Sequence, residues 1–230
     1  IYTLSLHDAL PILVIAGKAL MDYRTRLMSN KNTWCVVSVP TSAWAYKVFP
    51  ECSETEAMER LWAQILSAVR VSEEEDPIAA WKKHINRLQK ITEFLNTHAF
   101  TELHYQNELG TDLRIELPPG HIWMGGAERS ADGTLFAANL PTEEVYTLPK
   151  RDGVNGTVVA SKPLHYNGNL ISGFTLRFHE GKVVEYKAER GEEHLKELLA
   201  TDAGASFLGE VALVRSEEHT SELQSLVIIS

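Results

Sequence analysis

The sequence predicts an α+β protein, with helices in its first half and a mostly antiparallel β domain after them. Two observations lead to this fold class. Between residues 53 and 96, apolar side chains recur at the 3.6-residue spacing of amphipathic helices. After Phe100 the spacing changes to two, and short alternating runs are separated by turn-forming dipeptides. A block of helices followed by a block of strands is typical of α+β folds.

The first elements lie between residues 13 and 50. The stretch "ALMDYRTRLMS" predicts a helix, and the apolar run "TWCVVSVP" predicts a buried strand. The next stretch, "TSAWAYKVFP", contains two aromatic residues and ends in proline. We expect it to form a packed loop.

Two longer helices follow. Ser53 and Glu56 have the spacing of a capping box, in which each side chain satisfies a free backbone N–H of the first turn. Pro77 favours a second helix start, because proline is well tolerated in a first turn. The predicted apolar stripe of the first helix contains Ala57, Leu61, Ile65 and Ala68. The stripe of the second contains Trp81, Ile85, Leu88, Ile91 and Leu95.

The β domain is predicted from the runs "TELHYQ", "TDLRIEL", "TVVASKPLHY" and "FTLRFHEGKVVEYKAE". Within the last run, "RFHEGKVVEY" is a strong hairpin signal, since a glycine-containing turn separates two alternating segments. The stretch "GEEHLKELLATDAGASFLG" then predicts a helix, and "EVALV" predicts a final strand.

Composition limits the class of protein. Of the 230 residues, 44% are hydrophobic and 23% are charged, which is ordinary for a soluble globular chain. No stretch approaches the roughly 20 apolar residues of a membrane helix, so we expect no membrane partner. The net charge of −9 without a basic stripe argues against nucleic acid as a partner. Cys35 and Cys52 form no CxxC pair, which fits a reducing cytoplasm.

Common catalytic motifs are absent from the sequence. It contains no G-x-S-x-G, no P-loop, no G-x-G-x-x-G and no H-E-x-x-H. Outside the terminal segments seven histidines occur, and none is paired with another at a metal-ligand spacing. Among them His121 is the strongest functional candidate, because it lies beside Trp123 and a glycine pair. The seven are His84, His98, His104, His121, His165, His179 and His194.

Carboxylates at strand starts are the more unusual feature. Glu143 and Glu144 lie between two prolines and directly before "VYT", and Glu210 precedes an apolar strand. A carboxylate at the mouth of a buried strand requires a cationic partner. Two that converge from separate strands suit a divalent metal, which prefers hard oxygen ligands. The alternative is a solvated carboxylate pair, and spacing alone does not decide between them.

Longer motifs carry a resemblance to a known family. The stretches "GTDLRIELPPGHIWMGG", "FAANLPTEEVYTLPKRDGVNGTVVASKPLHYNGNLISGF" and "TDAGASFLGEVALV" closely resemble the thermophilic metallo-aminopeptidase family of the aminopeptidase T and aminopeptidase S type. "WAYKVFP" and "LWAQILSAVRV" are similar to its preceding helical region. The resemblance covers essentially all of residues 13–214.

The resemblance implies a hydrolase that removes N-terminal residues from peptides with metal-activated water at two divalent metal ions, zinc or cobalt. It assigns Glu144 and Glu210 as metal ligands, whereas Glu143 matches the motif without being a ligand. The family's remaining motifs, with two histidines, an aspartate and the catalytic tyrosine, follow "GEVAL". They would lie beyond Val214, so we expect no catalytic residue within this chain and no activity from it alone. The resemblance also implies a homodimer of full-length subunits.

The ends of the chain suggest a different origin. "IYTLSLHDALPI" at residues 1–12 and "RSEEHTSELQS" within residues 215–230 resemble translated adapter oligonucleotides of short-read DNA sequencing. We therefore predict four parts. Two adapter-derived ends flank residues 13–100, the mainly helical remnant of an N-terminal α/β domain, and residues 101–214, part of a β-rich catalytic domain.

A second function class remains open from the sequence. The β domain could be a non-catalytic binding module for a partner or a sugar, because "HIWMGG" is rich in aromatic and apolar residues and the hairpins are exposed. These features fit the aminopeptidase interpretation equally well.

Overall fold

The computed structural model describes residues 19–215 and 223–229. Its contacts divide the chain into two units. The first contains the described residues up to Ile85 together with Gly126–Thr142, and the second contains Asn86–Gly125 and the residues from Glu143 onward. The predicted adapter segment 1–12 lies outside the described residues, as do residues 216–222 and 230 of the second adapter segment. The predicted boundaries 13–100 and 101–214 stay predictions.

The described part of the first unit contains four helical segments. They are α1 (Met21–Met28), α2 (Ser42–Val48), α3 (Glu54–Ala68) and the first part of α4 (Pro77–His98). The serine half of the predicted capping box is confirmed, because Ser53 Oγ accepts a hydrogen bond of 3.3 Å from the backbone N–H of Glu56. The Glu56 carboxylate pairs with Arg60 at 3.0 Å. The predicted helix in "ALMDYRTRLMS" is confirmed by α1.

The loop predicted for "TSAWAYKVFP" is wrong, because α2 forms there. Thr41 Oγ1 accepts a hydrogen bond of 3.3 Å from the N–H of Trp44, so a threonine cap starts this helix. Ala45 of α2 is 1% exposed and packs with the buried face of α3. That face contains Ala57, Leu61 and Ile65, as predicted, but Ala68 is exposed.

The strand predicted in "TWCVVSVP" is shorter and more exposed than expected. Strand β1 is only Val36–Val37, and these valines are 59% and 51% exposed. It pairs in parallel with β7 (Asn139–Leu140). An apolar run reports strand propensity, whereas burial requires elements packed on both faces. This unit also contains a hairpin of two short strands, β5 (Glu128–Arg129) and β6 (Leu135–Phe136).

A five-stranded antiparallel sheet forms much of the second unit. Its strands are β2 (Glu102–Gln106), β3 (Asp112–Glu116), β9 (Val154–Val159), β12 (Thr175–His179) and β13 (Lys182–Lys187). They lie in the order β13-β12-β9-β3-β2. The predicted hairpin is confirmed by β12 and β13. Glu180 and Gly181 form its turn with φ values of 50° and 80°, as a type I′ turn requires.

A four-stranded sheet consists of β4 (Met124–Gly125), β8 (Glu144–Thr147), β14 (Leu208–Arg215) and β15 (Leu223–Ile229). Its strand order is β15-β14-β8-β4, and it contains both predicted metal ligands. The unit also has the hairpin β10 (Leu164–Tyr166) and β11 (Asn169–Ile171), and helix α5 (Glu192–Leu199). The mixture of helices and mostly antiparallel sheets confirms the predicted α+β class.

The core of the second unit is built around large side chains that are almost completely buried. Trp123 and Phe178 are each 2% exposed, and Leu88 and Leu95 of α4 pack into the same cluster. The Trp123 backbone is fixed by Asn96, whose amide donates to its carbonyl at 3.0 Å and accepts from its N–H at 2.8 Å. Among the described residues, no helix combines the length and the apolar character needed to cross a membrane.

Candidate metal site

The two predicted ligands lie on neighbouring strands. Strands β8 and β14 are antiparallel, with Glu144 opposite Val214 and Tyr146 opposite Ala212. Residues directly opposite each other point to the same face, and every second residue along a strand shares that face. Glu210, two residues before Ala212, therefore lies on the face that carries Glu144.

The other face of the same strands is packed into the core. Val145, Thr147 and Val211 are at most 2% exposed, and Thr147 Oγ1 donates a hydrogen bond of 2.9 Å to the Ile122 carbonyl. This packing fixes the orientation of both strands, because a register slip of one residue would bury the carboxylates and expose the apolar set. The carboxylate face is thus a consequence of the core pattern.

A glycine permits close approach beside Glu144. Gly125 of β4 lies opposite Val145 and has a φ of 154°. A Cβ at this position would lie 2.6 Å from the Glu144 carbonyl oxygen and 3.0 Å from the Val145 Cα. Only glycine avoids this contact, so Gly125 allows β4 to pair with the strand that carries the first carboxylate.

Both carboxyl groups favour the neutral form more than an exposed glutamate does. Burial raises the pKa of Glu144. Burial also raises the pKa of Glu210, and the negative charge of Glu144 raises it further. Glu210 lies four residues along β14 from Val214, the residue opposite Glu144, so the two carboxylates are offset along their common face. A cation between these partly desolvated and mutually repelling groups would stabilise both.

The chemistry of the donors fits a divalent cation. Carboxylate oxygens are ligands for zinc as well as for harder metals. Glu144 and Glu210 are both held on strands, which position ligands more precisely than loops do. Within residues 19–214, no group of three histidine, cysteine, aspartate or glutamate side chains is arranged to hold a metal. The described part of the chain therefore offers a pair of carboxylates.

Glu143 lies directly before β8, and the strand's pairing with β14 begins at Glu144. It is half-buried, as Glu144 is. Its predicted status as a residue that is not a ligand stays a prediction.

Four of the histidines have contacts with residues other than Glu144 and Glu210. His104 Nε2 lies 2.7 Å from Asp112 Oδ1, and His121 Nδ1 lies 3.0 Å from the Pro118 carbonyl oxygen. His194 lies near Glu193 and Glu197 on α5. His84 is buried and contacts the Thr142 carbonyl at 2.6 Å.

Sequence reasoning missed two residues of this site. Tyr146 is half-buried on the carboxylate face, and Gly125 sets the approach of β4. The alternation in "EEVYT" places Tyr146 on the same face as Glu144, so that signal was available. The pairing of "MGG" with this strand was not visible, because it depends on contacts between distant parts of the chain.

Comparison with known proteins decides the family. Residues 14–228 match the family described as thermophilic metalloprotease (M29). The chain belongs to this family. The match confirms the resemblance to metallo-aminopeptidases. It also extends into residues 215–230, where β15 pairs with β14, and the adapter origin of that segment stays a prediction.

Relatives within the thermophilic metalloprotease family are named aminopeptidases. The chain is 49% identical over 206 residues to aminopeptidase 2 of Geobacillus stearothermophilus, covering 90% of this chain and 49% of that protein. It is 49% identical over 186 residues to aminopeptidase T of Thermus aquaticus, covering 81% and 45%. The solved structure of wild-type AmpT from Thermus thermophilus superimposes with a TM-score of 0.79 at 43% identity, covering 86% and 48%. The chain thus spans about half the length of the relatives it matches.

Proposed function

We propose that this chain is part of a metallo-aminopeptidase that hydrolyses the N-terminal peptide bond of peptides. The observation that carries the proposal is the placement of Glu144 and Glu210 on one face of two paired strands. Membership of a metalloprotease family and relatives named aminopeptidases support it. The substrates we propose are peptides with a free N-terminus, and the site of action is the cytoplasm.

Glu144 and Glu210 would hold divalent metal, zinc or cobalt, in a site of two ions. Such ions, when bound, polarise a scissile carbonyl and lower the pKa of water. The role of the chain's own residues is to present two carboxylates from a rigid sheet. The core packing of Val145 and Val211 on the other face keeps these strands in register.

The remaining ligands and the catalytic tyrosine are proposed to lie in the half of the family sequence that this chain does not span. Two carboxylates without imidazole partners hold zinc weakly. The chain alone is therefore expected to show no measurable peptide cleavage. In its full length the protein is proposed to be a homodimer that requires neither nucleic acid nor a membrane.

The test uses the full-length protein and an aminoacyl chromogenic amide. We expect cleavage that is lost with a chelator and restored by cobalt or zinc. An N-acetylated amide of the same amino acid is the matched control, and it should not be cleaved, because an exopeptidase recognises the free amino group. Absence of cleavage with either metal would contradict the proposal and favour the non-catalytic binding module.

A further inference from the structure

The side chain of His84 makes a short, buried hydrogen bond to the segment that precedes Glu144. His84 is 4% exposed, and its Nε2 lies 2.6 Å from the carbonyl oxygen of Thr142. A carbonyl oxygen only accepts, so Nε2 must carry the proton and donate it. Loss of a buried hydrogen bond leaves its partner unsatisfied, which makes such a contact costly to break.

The imidazole ring also contacts an aromatic side chain. Trp81, one helical turn earlier on α4, meets it edge to face, with ring centroids 5.6 Å apart and an interplanar angle of 88°. Trp81 Nε1 in turn donates a hydrogen bond of 2.7 Å to the carbonyl of Val69, at the end of α3. The histidine is therefore oriented by an anchored aromatic ring, and the position of its donor atom is defined.

The acceptor of this bond is close to Glu144 along the chain. Thr142 precedes Glu144 by two residues, a span of at most about 7 Å of extended backbone. Metal ligands must be placed within roughly 0.5 Å of their working positions. A shift of the Thr142 carbonyl would therefore be transmitted through one intervening residue to the first residue of β8.

We propose that His84 is a positioning residue for Glu144, acting through the Thr142 carbonyl. The inference rests on the proposed function, because it requires Glu144 to be a metal ligand. Loss of the Nε2 donor would leave the carboxylate present but misplaced, and metal affinity would fall. Groups hydrogen-bonded directly to a metal ligand typically contribute ten- to 100-fold to metal affinity, and we expect the lower end of this range for a residue that acts through the backbone.

The experiment compares three substitutions in the full-length protein. In His84→Gln the amide nitrogen takes a place close to that of Nε2, whereas in His84→Asn the shorter amide falls near Nδ1 and does not reach Thr142. His84→Met has no donor but retains much of the volume of the ring, which guards against loss of folding through a void. The readouts are the cobalt dissociation constant from chelator competition, the visible spectrum of the cobalt-loaded protein, and thermal unfolding without metal.

We expect His84→Asn and His84→Met to weaken cobalt binding about tenfold and to alter the cobalt spectrum, while His84→Gln stays within about threefold of the wild type. His98→Asn is the matched control. His98 lies on the same helix, and its Nδ1 forms a hydrogen bond within that helix, to the Phe94 carbonyl one turn earlier. It should leave cobalt affinity unchanged.

Two results would overturn the inference while leaving the proposed function intact. In one, the donor-free variants bind cobalt as the wild type does. In the other, His84→Gln loses as much affinity as His84→Met, so that the position of the donor has no effect. A wild-type protein that binds no cobalt would instead overturn the proposed function, and this inference with it.

Discussion

Glu144 on β8 and Glu210 on β14 point from the same face of one sheet, although they are far apart in the sequence. Replacing either with glutamine in the full-length protein should lower cobalt affinity by more than about 100-fold, since a direct ligand contributes more than a residue behind it. The metal-free protein should not lose stability, because burial disfavours the charge that the substitution removes. Chelator competition and thermal unfolding measure the two effects.

The matched control for this pair is Glu143→Gln. It removes the neighbouring carboxylate, which is not expected to be a ligand, and should leave cobalt affinity within about threefold of the wild type. An equal loss of affinity in Glu143→Gln and Glu144→Gln would remove the distinction between the two residues.

Gly125→Ala should destabilise the second unit. The new Cβ would meet the Glu144 carbonyl oxygen at 2.6 Å and would occupy a strained positive φ. We expect a loss of more than about 3 kcal/mol in the free energy of unfolding, measured by chemical denaturation. Gly120→Ala is the control. It also has a positive φ but no atom within 4 Å of its Cβ, so its cost should be roughly 1–2 kcal/mol.

Asn96→Ala should destabilise the same unit for a different reason. The Asn96 side chain satisfies both the N–H and the carbonyl of Trp123, whose ring is buried. The loss should be about 1–3 kcal/mol, the usual cost of unsatisfied buried polar groups. Asn86→Ala, at an exposed position of the same helix, should change the free energy of unfolding by less than about 0.5 kcal/mol. Equal effects of the two substitutions would argue against the bridging role.

Ser53→Ala tests the first unit. It removes the oxygen that accepts from the Glu56 N–H at the start of α3. We expect a loss of about 1 kcal/mol, seen in far-ultraviolet circular dichroism during denaturation. Ser67→Ala, on the exposed side of the same helix, should change little. A Ser53→Ala curve that coincides with the wild-type curve would show that the cap contributes no stability.

The hydrogen bond between His104 and Asp112 predicts a pH dependence. Their hydrogen bond lowers the pKa of Asp112 below its ordinary value of about 3.9. The folded carboxyl group therefore binds a proton less readily than the unfolded one. The resulting stabilisation is present above the ordinary pKa and is lost as the pH falls through the lowered one.

Comparing Asp112→Asn with the wild type by thermal unfolding should show a small difference at neutral pH that vanishes toward pH 3. The difference should be small because the pair is solvent-exposed. Asp202→Asn serves as the control for general charge effects. A difference between Asp112→Asn and the wild type that stays constant with pH would contradict the predicted linkage.

Much of the helical and hairpin structure could be predicted, because these elements are determined by local spacing. Ala57, Leu61 and Ile65 share one side of α3 because the helical period places them there, and Ala45 of α2 packs against that side. The turn at Glu180 and Gly181 is similarly local. Burial of Val36 and Val37 was predicted wrongly, since it depends on which other elements cover them.

The site was only partly accessible from the sequence. Its two carboxylates were recognised from the motifs "PTEEV" and "GEVAL", but their common face depends on the register between β8 and β14. The contact of His84 with Thr142 likewise joins two stretches that no local pattern connects. Long-range pairing of this kind is set by packing of the whole core rather than by neighbouring residues.

The route of the chain between β4 and β8 has a consequence for how this family can vary. Gly125 and Val145 are paired in the sheet, yet residues 126–142, which lie between them, belong to the first unit. The two ends of this segment are thus held close together by the pairing of Gly125 with Val145. The part of this segment that precedes Thr142 could therefore change in length and sequence without moving Val145 out of its pairing with Gly125. We therefore expect relatives to differ more in this segment than in the strands that carry the carboxylate pair.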